Sequence, residues 1–199
     1  DIRTAASHIV DRTERNPIPT RAGLPALSAQ YAINAVLSAF YDPNTWPDLN
    51  EAIRTAEAYD GLPLARLSYW WNQNQASDPS AAIDAIDLIW CADNTDRPTV
   101  EDYRAIAEQL AVTSPTFAAW YPGLIPRCHG YPLAAEPTPS PSSTTAIPIL
   151  VVSSTGDYAT PLAGARELVS RLGHSTLLVR NGPGHTSYGL GYQCIDSHV

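Results

Sequence analysis

The stretch that most constrains this chain is Ile147 to Gly189, IPILVVSSTGDYATPLAGARELVSRLGHSTLLVRNGPGHTSYG. It reads as an apolar run (Ile147 to Val152), a turn carrying Asp157, an amphipathic segment (Leu162 to Leu172), a second apolar run (Thr176 to Val179) and a Gly/Pro turn carrying His185. Two short apolar runs separated by a helix-length segment predict two parallel strands joined by a crossover helix, and so an α/β fold. In open parallel sheets functional groups lie just beyond the carboxyl ends of the strands, where Asp157 and His185 both fall. A carboxylate that accepts the imidazole Nδ1–H fixes the tautomer and leaves Nε2 to take a proton from a nucleophile.

The motifs around these two residues are GDYATP (Gly156 to Pro161) and GPGHTSYG (Gly182 to Gly189). They resemble the acid and histidine motifs of the α/β-hydrolases, and within them of the tripeptidyl aminopeptidase-like branch of the prolyl aminopeptidase (S33) serine peptidases. The order, acid before histidine, is that of the fold. The resemblance implies that Asp157 and His185 are catalytic members of a Ser-His-Asp triad. It further implies release of residues or short peptides from peptide amino termini, without a metal or organic cofactor. No G-x-S-x-G occurs in the 199 residues. Ser153, Ser154 and Ser187 lie near the motifs but lack the strand-to-helix turn that exposes a nucleophile. The serine and oxyanion hole are therefore expected on an N-terminal segment or a second chain, and this chain reads as the C-terminal portion of a longer hydrolase.

The resemblance extends upstream. FYDPNTWPDLNEAI (Phe40 to Ile53), followed by a short amphipathic helix ending at Asp60-Gly61, is similar to the lid of the same enzymes. Residues 1–133 lack buried-strand runs and read as a helical lid broken by prolines. Helices are expected over Ala5 to Arg15, Pro25 to Tyr41, from an N-cap at Thr45, over Leu62 to Gln75, and from Thr99, with Asp102 three residues on. Residues 134–146, rich in Pro, Ser and Thr, form an exposed connection, and residues 147–199 are the βαβ part. The segment Phe117 to Pro132 reads as an irregular return, with His129 structural. Trp46 and the Tyr69-Trp70-Trp71 cluster read as packing residues, with a substrate contact by Trp46 or by one of the cluster as the alternative. In the related peptidases an acidic lid residue holds the substrate's α-ammonium, and Asp93 in IWCADN occupies the matching place; read from the residues alone, it caps the next helix or pairs with Arg97. The family likeness also pairs Cys91 with Cys128 and sends Cys194 to a residue beyond Val199. Reduced, buried cysteines are the alternative.

Composition narrows the classes further. A net charge of −8 with twelve arginines, no lysine and no basic run argues against nucleic-acid binding. The acidity would attract a cationic peptide terminus, or simply keep the chain soluble. No 18-residue apolar run predicts a membrane span, and the three cysteines lack metal spacing. The start, DIRTAASHIV, reads as a mature or internal terminus of an exported protein, secreted or in the cell envelope. Two parallel strands are marginal alone, so the chain is expected to need its N-terminal partner. Two further readings are an α/β-hydrolase acting on esters, amides or epoxides, and a non-catalytic partner-binding subunit.

Overall fold

A computed structural model describes residues 2–68, 88–120, 128, 131–132 and 147–199. The chain divides into two compact units, Asp1–Ala35 with Asn50–Pro139, and Val36–Leu49 with Ser140–Val199. Residues 36–49, grouped by sequence with the helical region, thus pack with the C-terminal strands.

The first unit is helical among its described residues. It contains α1 (Ile2–Arg15), the first turns of α2 (Ala29–Tyr41), the later turns of α3 (Trp46–Glu57), α4 (Leu62–Leu67), a helical segment at 88–93, α5 (Val100–Ala111) and α6 (Pro115–Trp120). Ile9, Ile18, Leu27, Ile33, Ile53 and Leu64 form its buried centre. Thr13 is buried with them because its hydroxyl donates to the Ile9 carbonyl at 2.7 Å, so no polar group is left unmatched.

Several boundaries differ from those expected. Helix α2 begins at Ala29 rather than Pro25, because Ile18 and Leu27 pair as an antiparallel bridge that holds the preceding residues extended. Thr45 does not cap α3. Asp42 caps a 3-10 turn over Pro43–Thr45 instead, its Oδ1 accepting the Asn44 N–H at 2.9 Å, while the Thr45 hydroxyl donates back to the Asp42 carbonyl. The Asp-Pro pair starts the coil a turn earlier than the Thr-Trp-Pro pattern suggests. Helix α4 stops at Leu67, where extended Ser68 turns its buried hydroxyl to Asn34 Oδ1 at 3.0 Å. Phe117 lies in a helical turn, not an irregular return. The capping box at the start of α5 forms as expected, with Thr99 and Asp102 bonded reciprocally. Residues 69–87, among them the aromatic cluster, together with His129 and the 134–146 connection, lie outside the described residues.

A disulfide joins Cys91 to Cys128, with Cα atoms 5.3 Å apart, and Cys194 is free and exposed. Beside the disulfide, Arg97 gives its five N–H donors to the carbonyls of Cys91, Asn94, Asp96, Tyr131 and Pro132, which ties the same two stretches together a second time.

In the second unit β1 (Ile149–Gly156) and β2 (Ser175–Pro183) run parallel, joined by α7 (Leu162–Arg171), and α8 (Gln193–Asp196) follows as a single turn. The register runs from Ile149 opposite Ser175 to Ser154 opposite Arg180, then slips, so that Gly156 faces Pro183. A Cβ on Gly156 would stand 2.8 Å from the Pro183 Cα. Glycine there lets the two strand ends close on each other, and the loops that leave them start side by side. The sheet has two strands among the described residues, and its apolar side chains are only partly covered: Leu150 is 40% and Val179 37% exposed, and no residue of α7 is buried. Among the described residues no helix is long and apolar enough to cross a membrane.

Candidate active site

Asp157 is the first residue beyond β1, and its side chain is only 3% exposed. The chain turns back over it, so that Oδ1 accepts the N–H groups of Ala159 at 3.0 Å and Thr160 at 2.8 Å, while Oδ2 accepts the Thr160 hydroxyl at 2.9 Å and the Thr186 N–H at 3.3 Å. Burial pushes the Asp157 carboxyl up. The donors from Thr160, His185 and Thr186 outweigh it and hold the carboxyl down at about 2. Because the folded state binds this proton less tightly than the unfolded chain, the contribution to stability is fully present above about pH 4 and is lost as pH falls through 2. Its size is about 2 kcal/mol. Melting temperatures taken from pH 5 down to pH 2 should therefore fall more steeply for the wild-type protein than for Asp157→Asn; parallel curves would contradict the assignment.

His185 follows Gly184, the first residue beyond β2. Its Nδ1 lies 3.0 Å from Asp157 Oδ2 and 3.1 Å from Oδ1. A carboxylate ionised above about pH 2 can only accept, so the hydrogen sits on Nδ1 and Nε2 carries the lone pair. The loop is held from several sides. Ser154 donates to the Gly184 carbonyl at 2.8 Å, and Arg180 donates to the Pro183 carbonyl at 2.6 Å and to Ser187 Oγ at 3.0 Å, with its guanidinium 4.3 Å over the Tyr192 ring. Thr186 adopts φ 62°, an uncommon conformation for a β-branched residue that costs roughly 1–3 kcal/mol. That conformation aims its N–H at Asp157.

The end of α2 forms the third side. Tyr41 accepts the His185 N–H on its carbonyl at 2.9 Å and sets its ring edge-on to the imidazole, with centroids 4.9 Å apart. A Cβ on Gly184 would meet Pro43 Cδ at 2.8 Å, so only glycine allows this approach. Tyr158, next to the acid, packs edge-on against Phe40 and Tyr41 and donates its hydroxyl to the Leu37 carbonyl at 3.0 Å. Burial, and then its hydrogen bond with Tyr41, push the Tyr158 phenol up, so it stays a donor.

The sequence has counterparts elsewhere. Residues 115–199 match the family model described as TAP-like protein, one of the α/β-hydrolases. Over these residues the chain is similar to the TAP-like α/β-hydrolases. Over 184 residues it is 31% identical to carboxylesterase B of Mycobacterium tuberculosis, a match covering 87% of this chain and 34% of that protein. Over 192 residues it is 29% identical to serine protease Hip1 of the same species, covering 91% of this chain and 36% of that protein. The chain spans about a third of the length of these relatives.

In this chain the three serines near the motifs are all buried. Ser154 and Ser187 already bond to Gly184 and Arg180, respectively. Asp93 is exposed in the last turn of the 88–93 segment, in the first unit, whereas Asp157 and His185 belong to the second. It does not cap the following helix, since Thr99 does. Among the described residues no three metal-ligating side chains come together. Tyr41, Tyr158, Thr160 and Arg180 were not singled out by sequence. Thr160 and Tyr158 lay inside a motif already noted, but nothing in the spacing pointed to Tyr41, which sits 144 residues before His185.

Proposed function

We propose that Asp157 and His185 are the acid and the base of a Ser-His-Asp triad in a serine hydrolase that releases residues or short peptides from peptide amino termini. The observation that carries this reading is the Nδ1 contact at 3.0 Å with a carboxylate held at about 2, at neighbouring ends of two parallel strands. His185 Nε2 takes the proton of a serine hydroxyl and later gives it to the leaving amine, while Asp157 orients the ring and stabilises the imidazolium. The serine and the oxyanion hole belong to an N-terminal segment or chain outside these 199 residues, in keeping with the lack of a G-x-S-x-G. That partner would also cover the half-exposed Leu150 and Val179. The helices within residues 1–133 serve as a lid, where Asp93 receives the peptide's ammonium group. The protein works outside the cytoplasm, secreted or in the cell envelope, where Cys91–Cys128 persists and Cys194 pairs with a residue beyond Val199.

A second reading, cleavage of carboxylic esters, draws on the relative named carboxylesterase B. The two share one acyl-transfer mechanism and differ in leaving group. A fluorophosphonate probe on the full-length protein, followed by turnover of free-amino peptides, N-acetylated peptides and aryl esters, separates them. One serine outside residues 1–199 should be labelled, and free-amino peptides should turn over fastest. Preference for esters would favour the second reading, and absence of labelling would leave a non-catalytic, partner-binding subunit.

A further inference from the structure

The χ2 torsion of an aspartate is broad, so the plane in which a carboxylate meets an imidazole is set by whatever holds its two oxygens. At Asp157 one residue holds both. The Thr160 N–H donates to Oδ1 at 2.8 Å and the Thr160 hydroxyl donates to Oδ2 at 2.9 Å. The same hydroxyl oxygen lies 3.3 Å from His185 Nδ1, where, with its own hydrogen given to Oδ2, it presents a lone pair to the Nδ1–H. Carboxylate, imidazole and hydroxyl thus close a ring of three contacts. We propose that Thr160 is a positioning residue for the Asp157–His185 pair, its N–H and hydroxyl fixing the carboxylate plane and its oxygen keeping the imidazole seated on that carboxylate. This rests on the reading of the pair as acid and base.

Removing the hydroxyl changes the charge that His185 meets. The donor on Oδ2 draws density from the carboxylate, so without it the imidazolium is better stabilised and His185 should titrate higher. The lost contact to Nδ1 works against this, because the imidazolium N–H is the stronger donor, but at 3.3 Å it is longer than the two carboxylate contacts at 3.0 and 3.1 Å, so the change at the carboxylate prevails. Among the described residues, the other charged or titratable groups near the pair are Tyr41 at the end of α2, edge-on to the ring at 4.9 Å, Tyr158 beside the acid and packed on Tyr41, and Arg180 on β2, whose guanidinium reaches the carbonyls of Pro183 and Gly184. None of these is altered by substitution at Thr160.

The test uses Thr160→Val, which keeps the β-branched shape, Thr160→Ala, and Thr160→Ser, which keeps the hydroxyl, each in the full-length protein. His185 is titrated by NMR and kcat and KM are measured separately. Val and Ala should raise the His185 midpoint by roughly half a pH unit and lower kcat about tenfold with KM within about twofold, and Ser should restore both. Folded Val and Ala variants whose His185 titrates as in the wild type would overturn the proposal. If the midpoint moves but neither wild type nor variants hydrolyse any peptide or ester, the hydrolase reading fails and the positioning role stands.

Discussion

Replacing His185 by alanine in the full-length protein should abolish hydrolysis, with kcat lower by about 10⁴–10⁶ and the fold retained. Only this imidazole stands on a carboxylate at the strand ends, with Nε2 as its remaining acceptor, among the described residues. The side chain is 26% exposed and contributes little packing, so its loss leaves a small, wet gap beside Tyr41 rather than a core cavity. The backbone N–H to the Tyr41 carbonyl survives the change and keeps the loop in place. Turnover of free-amino peptides and esters, measured with circular dichroism as a folding control, decides the matter. Undiminished turnover by a folded variant would refute the role of His185 for either class of substrate.

Asp157→Asn should be nearly as severe, with kcat lower by about 10⁴ at neutral pH and KM little changed. The amide is close to isosteric but can donate. If its NH2 faces Nδ1, that nitrogen must accept, the ring hydrogen moves to Nε2, and the base no longer has a lone pair where the serine proton is taken. If its oxygen takes the Oδ2 place nearest Nδ1, the NH2 takes the Oδ1 place and is pressed against the N–H groups of Ala159 and Thr160, both of which are placed to donate there. The imidazolium also loses its counter-charge. A kcat within tenfold of the wild type would show that His185 works without this carboxylate.

The sequence by itself determined the unit that matters. Two apolar runs spaced by a helix's length define parallel strands with a crossover, and each run is followed at once by one chemical residue, so both residues had to emerge at the same edge of a sheet. The lack of a nucleophile elbow was equally legible, because that turn needs a local pattern. Capping of α5 was readable from Thr99 and Asp102 for the same reason: the partners are three residues apart.

What only the tertiary structure decided was what surrounds the pair. Tyr41 and Pro43 come from a helix end and a turn far back in the chain, and they meet His185 and Gly184 because the 36–49 segment packs with the C-terminal strands. Helix α2 starts later than its local pattern suggests because the Ile18–Leu27 bridge joins residues through space. Hydrogen-bond donors such as Thr160 and Arg180 were visible as letters, yet their targets depend on the register slip at Gly156 and the left-handed turn at Thr186. Periodicity and motif spacing encode contacts within a few residues; contacts made across the fold follow from packing, which no local pattern carries.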